Sequence, residues 1–69
     1  MPLTLAKAGE ENRIKKVGGK AETRQFLGNL GFIAGNPVTV ISEISGNLIV
    51  SVKDARVAIS REMANKIIV

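Results

Sequence analysis

Carboxylates are the first place to look for chemistry in this chain, because its 69 residues include no histidine and no cysteine. Without an imidazole or a thiol, no Ser–His or Cys–His pair can activate a nucleophile. A thiolate zinc site and a disulfide framework are excluded for the same reason. A hard cation would need several converging oxygens. Glu10 and Glu11 are adjacent, so an extended backbone points them to opposite faces, and Glu43, Asp54 and Glu62 stand far apart in the sequence. No catalytic set and no metal-ligand set is visible, and no enzymatic activity is expected. Gly18-Gly19-Lys20 invites comparison with a phosphate loop, but the spacing GxxxxGK[ST] is missing.

The remaining chemistry is charge. Ten Lys and Arg oppose six Asp and Glu, for a net charge of +4. Such an excess suits nucleic acid, an acidic partner or an anionic membrane surface, and it equally suits a surface kept soluble by its charge. The scattered placement of the basic residues favours the last. Arg13, Lys15, Lys16, Lys20 and Arg24 form the one group able to face phosphates together. Small barrels that bind single strands rely on exposed aromatic platforms, and polyproline grooves are lined with aromatics. There is no Trp or Tyr, and both Phe26 and Phe32 are expected to be buried. A nucleic-acid-binding barrel and a metal-responsive regulatory module stand as alternatives to a protein-interaction role.

These side chains must be positioned by a single small domain. With 45% hydrophobic residues and only two aromatics, its core must be Val, Ile, Leu and Ala. Thr4 is expected to cap a short turn over Leu5–Lys7, closed by Gly9. Residues 11–17 read as a strand. Ile14 and Val17 are three apart, which strict alternation cannot put on one face, so a bulge is expected near Lys15–Lys16. Residues 20–30 read as a helix with Thr23, Phe26, Leu27 and Leu30 on one face. Gly31 falls where a helix end takes a left-handed conformation. Gly28, inside the helix, costs about 1 kcal/mol relative to Ala, and a close approach of strand backbone would explain it.

Three strands follow at 37–44, 48–52 and 56–60, joined by tight turns at Ser45-Gly46-Asn47 and Lys53-Asp54-Ala55. Ser60 then caps one helical turn, Arg61-Glu62-Met63-Ala64, and residues 66–69 form a last short strand. The pattern is mainly β: a small SH3-like five-stranded barrel, with one α-helix between the first and second strands and a helical turn before the last. Closing the barrel would hide edges that such apolar strands leave prone to pairing. No secretory signal or apolar run of spanning length is seen, so a soluble cytoplasmic protein is expected.

Arg24-Gln25-Phe26-Leu27-Gly28-Asn29-Leu30-Gly31-Phe32-Ile33-Ala34-Gly35, followed by an alternating strand, resembles the hallmark of the ferrous iron transport protein A (FeoA) family. That hallmark reads Arg-x-x-Leu-x-x-Leu-Gly-apolar-x-x-Gly, and Arg24, Leu27, Leu30, Gly31, Phe32, Gly35, Val38 and Val40 match it in turn. The flanks are similar too, so the likeness spans essentially the whole chain. It departs in three places. Gly46-Asn47-Leu48 stands where Gly-Asp-Pro is frequent, Asp54 where a turn Gly is frequent, and Ser60 where an Arg is frequent.

The resemblance implies an accessory protein of ferrous iron uptake whose partner is the GTP-binding cytosolic domain of an FeoB-type membrane transporter. Contact is expected from the helix surface and the loop after it, at Arg24, Gln25, Asn29, Ala34 and Asn36, while Gly31 and Gly35 are expected to serve backbone geometry. Fe²⁺ association is implied by the family only, with no ligand set in the sequence. Exposed Val and Ile on edge strands leave room for a homo-oligomer.

Overall fold

The computed structural model describes all residues, 1–69. Six strands and two helices alternate in the order β1 (Glu11–Arg13), β2 (Lys16–Val17), α1 (Ala21–Leu30), β3 (Pro37–Ile44), β4 (Asn47–Val52), β5 (Ala55–Ser60), α2 (Arg61–Ala64) and β6 (Ile67–Ile68). A 3-10 turn over Leu3–Leu5 precedes them. The strands form an antiparallel four-stranded sheet, ordered β1-β3-β4-β5, and a two-stranded sheet, β2-β6.

The expected first strand is divided between the two sheets. Ile14 donates its N–H to the Asn36 carbonyl and accepts from the Gly35 N–H, which keeps it beside β3. The next residue, Lys15, donates to the Ile68 carbonyl and so already belongs to the other sheet. Ile14 and Val17 can therefore both face the core without the bulge expected at Lys15–Lys16. A bulge does occur, in β3, where the register slips between Val40 and Ser42 and leaves Ile41 as the extra residue.

Both hairpins use two-residue loops with positive φ at both positions: Ser45 (49°) with Gly46 (81°), and Lys53 (50°) with Asp54 (63°). This twist matches that of the flanking strands. At the amino end, Thr4 is not a cap. The 3-10 turn follows Pro2 with no side-chain cap, and the Thr4 hydroxyl instead donates to Asn65 Oδ1 at 2.6 Å, tying the turn to the end of α2. Ser60 does cap α2, its Oγ accepting the Met63 N–H at 3.2 Å.

The core between the sheets is aliphatic apart from Phe32. Val38, Val40, Leu48, Val50, Val52 and Ile59 come from the large sheet, Ile67 from the small one, Leu27 from α1 and Ala64 from α2. No charged or polar side chain is buried, and no buried side-chain polar atom lacks a partner. No helix is long and apolar enough to cross a membrane. The sheets do not hide every edge, since β5 ends the large sheet and pairs with β4 alone.

Candidate partner-binding surface

The helix and the loop after it are set by their own backbone bonds. Leu27 is the one fully buried residue of α1, with Thr23 and Leu30 half-buried beside it. At the end of the helix, Gly31 is left-handed (φ 109°) and donates to the Gly28 carbonyl at 3.0 Å, while Phe32 N–H reaches the Leu27 carbonyl at 3.0 Å. This pair of bonds is a Schellman motif, and the accompanying apolar contact positions fall on Leu27 and Phe32, both buried. Gly31 is itself buried: a Cβ there would lie 3.4 Å from Val52 Cγ2 and from Lys53 Cγ.

Past the cap the loop is held from three sides. Asn36 Nδ2 donates to the Gly31 carbonyl at 3.0 Å, Gly35 N–H to the Ile14 carbonyl at 2.7 Å, and Arg13 Nη1 to the Gly35 carbonyl at 2.7 Å. Gly35 has φ 93°, which suits glycine at the point where the loop turns into β3. Asn36 is thus a half-buried latch, which gives it a structural use alongside the partner contact expected of it. The structure places Arg24, Gln25, Asn29 and Ala34 on the exposed surface of the same segment, as solvated side chains with no ion pair. Gln25 and Asn29 are four apart on α1 and so adjacent on its surface.

Two apolar side chains join them. Phe26 is 49% exposed, where burial was expected, and Ile33 is 48% exposed at the loop. Phe26 lies at the edge of the apolar stripe whose centre, Leu27, takes the core position; a ten-residue helix on so small a core buries only a narrow strip. Sequence reasoning missed Ile33, although one signal was available. It stands between Phe32, which the Schellman contact draws inward, and Ala34 at the surface. Gly28 also needs correction: a Cβ there meets nothing within 4 Å, so no strand backbone approaches it.

A shallow depression of about 240 Å³ on the outer face of the large sheet is lined by Glu11, Pro37, Thr39, Ser51, Lys53 and Asp54, with no hydrophobic side chain. No three His, Cys, Asp or Glu residues gather where they could hold a metal ion. The donor set does not fit a resident transition metal. The single ion pair, Arg61 to Glu43 at 2.8 Å, is half-exposed on both sides and ties α2 to β3.

A family model described as FeoA domain matches residues 1–69. "Putative Fe(2+) transport protein A" of Methanocaldococcus jannaschii is 38% identical over 68 residues, covering 99% of this chain and 83% of that protein. Among solved structures, an iron uptake regulatory protein (FeoA) superposes with a TM-score of 0.88 at 25% identity, covering 97% of this chain and 91% of that one. FeoA of Stenotrophomonas maltophilia, solved with zinc, superposes with a TM-score of 0.85 at 20% identity over 99% of this chain and 87% of that one. It is described as a prokaryotic SH3 domain protein and a suggested activating factor of bacterial ferrous iron transport. The two packed sheets described above are thus an SH3-like fold.

Proposed function

The chain belongs to the FeoA domain family, and on that premise we propose that it is a cytoplasmic accessory protein of ferrous iron uptake, docking on the GTP-binding cytosolic domain of an FeoB-type membrane transporter. Iron is then the cargo of the partner, and this chain supplies a recognition surface. The observation that carries the reading is the exposure of Phe26 and Ile33 on a segment whose backbone is already fixed. On the same segment Arg24, Gln25 and Asn29 provide exposed polar groups and Ala34 a small exposed position, with Asn36 holding the loop through its bond to the Gly31 carbonyl.

The physical case is one of preorganisation. Ordering a loop on binding normally subtracts from affinity; here the Schellman cap, the Asn36 latch and the Arg13 bond have already ordered it. Buried aromatic anchors dominate binding energies at interfaces, and truncating one costs about 2 kcal/mol or more, roughly 30-fold in affinity. Titration of the soluble GTP-binding domain into this protein tests the reading. Binding is expected in at least one of the nucleotide-free, GDP and GTP-analogue states, with a roughly 30-fold loss in Phe26→Ala. No binding in any state would end the proposal.

A further inference from the structure

We propose that the outer edge of β5 is a homodimerisation edge, at which two copies pair β5 with β5 antiparallel about Ala58 and join their four-stranded sheets into one of eight strands. The two-residue loop at Lys53–Asp54 makes Val52 and Ala55 the pair that exchange hydrogen bonds next to the turn. Alternation along the ladder then gives the bonded positions to Val50 with Val57 and Leu48 with Ile59. The N–H and C=O groups of Arg56 and Ala58 consequently point away from β4. No backbone bond outside the regular elements uses them, and both residues are exposed.

Proteins protect such edges with prolines, lysines, bulges or very short strands. The opposite edge, β1, is only three residues long and carries Glu11 and Arg13. β5 has six residues in unbroken register, no proline, and Arg56 as its one charge. It is the unprotected edge of this sheet.

The occupant follows from the sequence of the strand. Arg56-Val57-Ala58-Ile59-Ser60 is close to a palindrome in character. Antiparallel pairing about Ala58 sets Val57 opposite Ile59 of the second copy, and Arg56 opposite Ser60 of the second copy. Apolar meets apolar, polar meets polar, and no like charges face each other. Pairing about Arg56 instead would oppose two guanidinium groups. On the inner face the new neighbours cover Val57, which is only half-buried in one copy. On the outer face, Ile49 sits beside Ala58, so the two copies form a continuous small apolar row across the two-fold axis. One strand pair buries less than the roughly 1,200 Å² of a standard interface, which makes the dimer weak and reversible. Each copy carries +4, so screening by salt strengthens the association.

Sedimentation equilibrium of the full chain, from about 10 μM to about 1 mM and at low and high NaCl, reads the proposal directly. The expected result is a monomer–dimer equilibrium that shifts at least about threefold toward dimer when NaCl is raised. Ala58→Pro removes an N–H that β4 does not use, so the fold is retained while pairing is lost. Ala58→Lys sets two ammonium groups across the axis and is expected to abolish the dimer as well. In a mixed isotope-labelled sample, an intermolecular contact between the Val57 and Ile59 α-protons identifies the register. A monomer at every concentration and salt would overturn the proposal. So would a dimer that persists in both folded variants, or one lacking the Val57–Ile59 contact.

Discussion

Two glycines three residues apart, Gly28 and Gly31, are predicted to respond to the same substitution with opposite signs. Replacing either by Ala restricts the unfolded chain and on that account stabilises by about 0.4–1 kcal/mol. At Gly28 the native state adds no penalty, because the residue is helical and its Cβ would enter open space. Gly28→Ala is therefore expected to stabilise by about 0.5–1 kcal/mol, the ordinary helix-interior difference. At Gly31 the backbone sits at φ 109° and ψ 2°, well outside the region L-residues tolerate. The strain is about 1–3 kcal/mol. The added methyl would meet Val52 Cγ2 and Lys53 Cγ at 3.4 Å, ordinary van der Waals contact, so the penalty comes from the backbone conformation. Subtracting the unfolded-state gain leaves a net loss between about 0 and 2.6 kcal/mol, about 1.3 kcal/mol at the middle of both ranges. A single core of this size supports only about 3–5 kcal/mol in all. The assay is urea unfolding followed by far-UV circular dichroism, comparing midpoints at constant slope. In thermal melts the two variants should move apart by roughly 4–8 °C for each kcal/mol that separates them. A Gly31→Ala that stabilises as much as Gly28→Ala, or a Gly28→Ala that destabilises, would refute the assignment of strain to one glycine and open space to the other.

Other consequences can be checked with the same equipment. Ser60→Ala removes the oxygen that accepts the Met63 N–H and should cost about 1 kcal/mol in urea unfolding; Ser60→Asp should preserve most of that. Asp54→Gly relieves a left-handed φ of 63° in the β4–β5 turn and is expected to stabilise by about 0.5–1 kcal/mol, read as a raised midpoint. Anaerobic addition of Fe²⁺ or Mn²⁺ in excess should leave the melting temperature unchanged within error. A ligand at 100 times its dissociation constant would add about 2.7 kcal/mol, which is easily seen.

How much of this was legible beforehand depended on whether a feature was local. The turns at Ser45–Gly46 and Lys53–Asp54, the Ser60 cap and the left-handed Gly31 each follow from a few adjacent residues. The chain-long resemblance matched the family that the comparisons also return. What failed was what needs a distant partner. The pairing of Lys16 with Ile68 splits the first strand, and only the tertiary fold brings those residues together. The alternation does break at the adjacent apolar pair Val40-Ile41, but that break alone does not say that β4 skips Ile41, which only the pairing fixes. Thr4 has the composition of a cap, yet its hydroxyl is taken by Asn65, 61 residues away. Of the proposed contact surface, Arg24, Gln25, Asn29 and Ala34 were readable as polar or small positions off the buried stripe. Phe26 was not, since an apolar residue at the edge of a stripe on a small core gives no sign of which side it takes until the core is full, and Ile33 was marked only by its place between the inward Phe32 and the surface Ala34.

The central claim is that recognition runs through α1 and its pinned loop. The most direct measurement is an NMR titration of this protein, labelled with ¹⁵N, with the unlabelled GTP-binding domain of an FeoB-type transporter. The account predicts that shift changes and line broadening concentrate between Arg24 and Asn36, strongest around Phe26 and Ile33. Perturbations confined to the outer face of the large sheet, or to β2 and β6, with that segment unmoved, would contradict it.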